Sequence, residues 1–411
     1  MIKVEPASLN GSVAAPPSKS FAIRYLILAA LMEGKSRIKG LVYSQDVDDA
    51  IALLRSAGIT PQGKNNVEVS STGRFSFSEV SINGSATVLR IAIALASSFP
   101  GRKIIRMGEN LSKRPLDQLV SSLSRNGVTI GRSNNILFID GQVKNTDFEI
   151  EANVSSQYIT ALLFLSAAMQ REVSVKLRTP QVSRTYVEIT AKTLEACGIR
   201  VAREEDTIYA YPGNIHPMDV TIPGDFALSS FLGVIAARNG HVIHIENLEK
   251  SSGGDSIIID IFRDSGVHTR LYASRWEISG SESINAVDID LSDYPDLLPP
   301  IAALLSESNG TSTISGVGHL RYKESDRIAE TAKLLSCYGI GSRIQDNTFF
   351  IYGSKGHRFH YDSPDDHRMA MAAVALASRS GGTISGEGCI RKSYPSFLTD
   401  FKFLGGKVDA S

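Results

Sequence analysis

Cysteine is scarce in this chain. Among 411 residues there are three, Cys197, Cys337 and Cys389. An odd, widely spaced set suggests neither a disulfide framework nor a metal site, and it fits a reducing compartment. An excess of either charge is also missing: Lys plus Arg and Asp plus Glu number 43 each, a formal net charge of zero. That argues against a nucleic-acid binder working through bulk electrostatics, though a local basic site remains open. Long apolar runs are lacking too. The apolar helical stretches reach about 12–15 residues, and a bilayer span needs about 20. The opening Met1-Ile2-Lys3-Val4-Glu5-Pro6 is no signal peptide, and no low-complexity linker breaks the chain. The expectation is a cytoplasmic enzyme of two or three domains with an ample core.

What is present begins at Pro16-Pro17-Ser18-Lys19-Ser20-Phe21-Ala22-Ile23-Arg24. The prolines fix an extended approach, and Ser18 is a good N-cap. An apolar helix follows at once, with Arg24 its only charge from Phe21 to Met32. A helix apolar all round is a buried helix. Lys19, Ser20 and Arg24 therefore stand at the mouth of a buried helix, where free backbone N–H groups and the helix dipole favour an anion. The plainer reading is a capped helix whose cations pair with protein carboxylates.

The same order, buried helix, strand, amphipathic helix, strand, strand, occurs six times. The buried helices start near Lys19, Gly84, Ser155, Asp225, Asp296 and Asp366, roughly 65–72 residues apart. The fold class is α/β: two similar domains, each of three repeats, with buried helices behind short sheets. The expected domains are residues 15–223, and residues 1–14 with 224–411. One strand from Ile2 to Val13 is expected to complete the sixth repeat. The first three helix mouths carry Lys19, Ser20, Ser155, Ser156 and Gln157, donors for an anion. The last three carry Asp225, Asp293, Asp296 and Asp366, each of which is by itself a good cap.

With these residues in view, the chain resembles the enolpyruvyl transferase family, and within it the EPSP synthases, from Ser18 to Lys392. The resemblance implies an inside-out α/β fold whose two domains close like jaws. It implies transfer of the enolpyruvyl group of phosphoenolpyruvate to the 5-hydroxyl of shikimate 3-phosphate, with release of phosphate, in aromatic amino-acid biosynthesis. Lys19 is implied to touch both substrates, and Ser20 and Arg24 to hold shikimate 3-phosphate. Ser155, Ser156, Gln157 and Ser183 join them there, and Gln157 also reaches phosphoenolpyruvate. Lys113-Arg114-Pro115-Leu116 supplies Arg114 to phosphoenolpyruvate. In the second half, Asp296 and Lys323 face the shikimate, and Glu324 the reacting methylene. Arg327, Arg368 and Lys392 bind phosphoenolpyruvate. Lys323 and Arg327, four apart, are expected on one face of a helix running from Glu324 to Cys337.

The reaction explains this inventory. Both substrates carry a carboxylate and a phosphate, and arginine forks suit them. Adding the 5-hydroxyl to C2 while C3 is protonated needs a base, a proton donor and cations for the departing phosphate. Asp296 is the expected base and Glu324 the expected proton donor and acceptor. Lys19 and Lys392 assist phosphate departure. No metal or other cofactor is called for. The partners are the two substrates, without nucleic acid or membrane, and a monomer is expected.

Departures from the family pattern lie at Gly84 and Ala86, which stand where it usually has Asn and Gly beside phosphoenolpyruvate; Asn83, one residue earlier, is the alternative for the missing Asn. His319 replaces an Asn near the shikimate phosphate. The inhibitor glyphosate, longer than phosphoenolpyruvate, is expected to bind more weakly against Ala86. The nearest rival is the sister enzyme acting on UDP-N-acetylglucosamine, but its reactive cysteine has no counterpart between Arg102 and Arg114. A non-catalytic anion-binding repeat protein is the rival of another class. Such a module has no need of Asp296 and Glu324 among cations.

Overall fold

A computed structural model of the protein describes residues 1–239, 241–250 and 254–410. Residues 240, 251–253 and 411 of the expected second domain lie outside them. The chain forms two compact units: residues 17–222, and residues 1–16 with 223–411. The cut follows Pro16 because residues 15 and 16 pair with the second unit. The Ala15 amide donates to the Glu246 carbonyl at 2.8 Å, and the Asp225 amide to the Pro16 carbonyl at 2.9 Å. Gly224 sits at the return crossing. A Cβ there would lie 2.2 Å from the Asn247 carbonyl oxygen, so only glycine allows the approach.

Each unit has its own hydrophobic core, built on three buried helices. In residues 17–222 these are α1 (Lys19–Leu31), α2 (Ala86–Ala96) and α3 (Ser156–Met169). In the other unit they are α4 (Phe226–Asn239), α5 (Leu298–Leu305) and α6 (His367–Ser380). They are buried on all sides because their sequences offer no polar face: every residue of α1 from Phe21 to Leu31 is buried. Among the described residues no helix is long and apolar enough to cross a membrane.

Among the described residues, six four-stranded sheets accompany these six buried helices, all with one strand order. The second repeat shows the rule. Strand Glu79–Ile82 pairs in parallel with Lys103–Met107 on the far side of α2, with Val80 opposite Ile105. Ile136–Gly141 and Val128–Ser133 then add antiparallel. Three sheets borrow a strand from elsewhere in the chain. Gly11–Ala14 precedes α1 but pairs with Val242–Glu246 of the fourth repeat. Asp219–Thr221 precedes α4 but pairs with Glu33–Lys39 of the first. Ile2–Glu5 lies between Gly382–Ser385 and Lys407–Ala410 in the sixth sheet. The expected single strand from Ile2 to Val13 is therefore two strands serving two repeats. Pro6, which has no N–H to donate, ends the first, and Gly11 at φ 118° opens the second.

Candidate active site

In residues 17–222, one set of contacts joins the starts of the buried helices. Lys19, the first residue of α1, pairs with Asp46 at 2.6 Å. Asp46 lies on the outer helix Gln45–Ser56, as does the buried Asp49. Asp49 accepts from the backbone amides of Asn83, Gly84 and Ser85 at 2.6–2.9 Å. One helix thus holds both Lys19 and the loop into α2. Burial pushes the Asp49 carboxyl up, and the three amides resist that shift. Gly108 packs beneath this loop, where a Cβ would meet the Asn83 carbonyl at 2.1 Å. Ser18 occupies the N-cap of α1 but makes no side-chain cap, so the first amides of α1 are not covered by its hydroxyl.

Arg24 is fully buried, and every partner it has is uncharged. Nε donates to the Thr190 hydroxyl at 2.9 Å and Nη1 to the Ser20 carbonyl at 2.8 Å. Nη2 donates to the Thr160 hydroxyl and the Tyr186 carbonyl. Burial pulls its pKa down to about 10, which still leaves it a cation at neutral pH. A buried cation without a carboxylate keeps its field for a ligand. The plainer reading, pairing with a protein carboxylate, fails for Arg24 and holds for Lys19.

Gln157 on α3 donates to Thr87 on α2 at 3.1 Å, while its buried side-chain oxygen has no partner. Ser155 caps α3, accepting from the Gln157 amide at 3.3 Å, and Ser156 is buried beside it. Ser183 precedes the outer helix Arg184–Glu195 in the left-handed region at φ 56°, a backbone strain typical of functional positions. Arg114 is half-buried, in the loop before the outer helix Asp117–Arg125. The Pro115 carbonyl ties this loop down, accepting from Arg90 Nη2 at 2.9 Å and from the Tyr158 hydroxyl at 2.8 Å. Arg90 Nη1 also donates to the Ala86 carbonyl, at 3.0 Å.

The second unit gathers charge differently. Arg327 is buried and forks onto three carboxylates. Nη1 donates to Asp296 at 2.6 Å, Nη2 to Glu324 at 2.6 Å and Nε to Asp366 at 2.9 Å. Arg368 Nη2 reaches the other oxygen of Asp296 at 2.5 Å. Burial works against the Arg327 charge, but Asp366, Glu324 and Asp296 outweigh it and hold the pKa well above the ordinary arginine value. Lys392 ends the 3₁₀ turn Glu387–Lys392 and pairs with Asp365, next to Asp366 and Arg368. His319 is buried. Burial first, and Lys323 second, push its pKa down to about 3, so the imidazole is neutral at physiological pH.

Two expectations change. The helix expected from Glu324 starts at Arg327, because Asp326 caps it by accepting from the Ile328 and Ala329 amides at 3.1 Å. Lys323 is therefore extended, and shares no helical face with Arg327. Glu324 still reaches Arg327, through the turn. Of the acidic helix starts, Asp225 caps α4 and Asp366 caps α6. Asp296, before α5, is held by two arginines, Arg327 and Arg368. Sequence reasoning missed Asp49 and the roles of Asp46 and Arg90. Arg90 carried the same signal as Arg24, one charge in an apolar helix.

A sequence profile of the EPSP synthase (3-phosphoshikimate 1-carboxyvinyltransferase) family matches residues 4–401. The 3-phosphoshikimate 1-carboxyvinyltransferase of Saccharolobus solfataricus is 32% identical over 415 residues, covering 99% of each chain. That of Caldivirga maquilingensis is 32% identical over 413 residues, again covering 99% of each. An EPSP synthase structure from Acinetobacter baumannii superposes with a TM-score of 0.82 at 21% identity, covering 100% of this chain and 99% of that one. The enolpyruvyl transferase NikO of Streptomyces tendae gives 0.78 at 15% identity over 100% and 98%. These likenesses fix the fold as the inside-out α/β architecture, and by profile and full-length identity this chain belongs to the EPSP synthase family.

Proposed function

We propose that the protein transfers the 1-carboxyvinyl group of phosphoenolpyruvate to the 5-hydroxyl of shikimate 3-phosphate. It does so by addition and elimination through a tetrahedral intermediate. The observation that carries this reading is the Arg327 fork, which sets Asp296 and Glu324 side by side among cations. An anion-binding module gains nothing from two carboxylates there. Asp296 takes the proton of the attacking hydroxyl, and Glu324 protonates C3 and later removes one hydrogen from the new methyl group. C–O cleavage then expels phosphate toward Lys19 and Lys392. Shikimate 3-phosphate is held by Ser20, Arg24, Ser155, Ser156, Ser183 and Lys323, with the vacant Gln157 oxygen accepting from a ring hydroxyl. Arg114, Arg327 and Arg368 hold phosphoenolpyruvate. The neutral His319 serves as a hydrogen-bonding group, not as a counter-charge. The protein acts as a cytoplasmic monomer.

The test is phosphate release from phosphoenolpyruvate with each of two acceptors. Release with shikimate 3-phosphate and none with UDP-N-acetylglucosamine is the expected result; the reverse rejects the assignment.

Ala86 makes a sharper prediction. Asp49 pins the loop before α2, so the Ala86 methyl cannot retreat from a longer ligand. Ala86→Gly is expected to increase glyphosate inhibition about tenfold, the low end for one methylene-sized group in a fitted pocket. Equal inhibition constants for the two proteins would reject it.

A further inference from the structure

Asp255 belongs to none of the groups assigned above, yet it lies among them. It opens the short 3₁₀ turn Asp255–Ile257, which packs against α4. The residue is more than nine-tenths buried, and its Oδ1 has no hydrogen-bond partner. The charges it faces come from four elements: Asp225 at the start of α4, Asp296 before α5, Lys323 before the Arg327 helix, and Arg368 on α6. An ionised carboxylate stripped of water with one oxygen unbonded is costly. A neutral carboxyl in the same place costs much less.

We propose that Asp255 is a positioning residue that works by staying uncharged, leaving the positive charge of Lys323 and Arg368 to the anionic substrates. The inference rests on the reading that those two residues hold substrate anions. Burial raises the Asp255 pKa well above the usual carboxylate value, and Asp296 and Asp225 raise it further. Arg368 and Lys323 oppose the shift without cancelling it. Deprotonation of Asp255 at alkaline pH adds a negative charge within the field of both cations. Anion affinity then falls, so KM for phosphoenolpyruvate climbs on the alkaline side while kcat changes less.

The experiment compares wild type, Asp255→Asn and Asp255→Ser from pH 6 to 9.5, with kcat and KM for phosphoenolpyruvate measured separately. Wild-type turnover at pH 7 tests the underlying reaction by itself. Asparagine and serine cannot ionise, so both variants should match wild-type KM at pH 7 within about twofold. They should lose most of an alkaline rise in KM of about tenfold, the change that one pK unit of interaction gives. Superimposable KM profiles for all three proteins would overturn the proposal. So would a kcat lowered equally at every pH, which is what a merely structural residue gives. Loss of folded protein in both variants at pH 7, read from melting curves, would overturn it too, because a neutral side chain must be tolerated where a neutral acid resides.

Discussion

Arg327→Lys is expected to cost both stability and turnover. One guanidinium meets Asp296, Glu324 and Asp366 within 2.9 Å, and a lysine ammonium cannot fork to three carboxylates from one buried point. At least one acid would be left without its partner. Removing a partner from a buried ion pair costs about 3–5 kcal/mol. Lysine retains a charge, so the lower end of that range applies to the melting transition. Turnover should fall by about 10²–10³, as when one preorganised donor is lost from a reacting centre. A melting temperature and kcat both near wild type would show that the fork is dispensable.

The second large effect concerns the acids themselves. Glu324→Gln and Asp296→Asn should each lower kcat by about 10²–10⁴, the range for a general acid or base, with KM changing far less. The two differ in a way that separates their roles. Glu324 is exposed and pairs with Arg327 at 2.6 Å, so its amide variant should fold normally. It should specifically lose hydrogen exchange at C3. Asp296 accepts from two arginines, and an amide NH₂ turned on a guanidinium leaves a buried donor unmet, at about 1–3 kcal/mol. Asp296→Asn should therefore also melt earlier. Pre-steady-state kinetics with both substrates reads the chemical step directly. Near-wild-type rates in both variants would refute the assignment.

Much of this was legible in the residues. Apolar stretches with no polar face, such as Phe21–Leu31, report burial without knowledge of any partner, and their regular recurrence gave the repeat. Lone charges in such stretches, such as Arg24, marked candidate site residues. Less was legible where the outcome depended on which distant segment arrived. Nothing in Gly11–Ala14 says that it pairs with Val242–Glu246 and not beside the helix it precedes. The start of the Arg327 helix turned on Asp326 as a cap, which moved it three residues on from the expected Glu324. Asp49 gave no signal, since an acid on an amphipathic helix normally faces water. Its partners are backbone amides of a loop 34–36 residues further on. Asp255 was hidden for the same reason: its surroundings come from four separated elements.

The central claim is an addition–elimination on phosphoenolpyruvate, and the most direct measurement runs the reaction in D₂O under ³¹P and ¹H NMR. Protonation and deprotonation at C3 pass through a methyl group, so solvent hydrogen must enter the product. Phosphate is expected only when both substrates are present, in equal amount to an enolpyruvyl ether carrying deuterium in its vinylic methylene. Phosphate release without shikimate 3-phosphate, or an enolpyruvyl product free of deuterium, would contradict it.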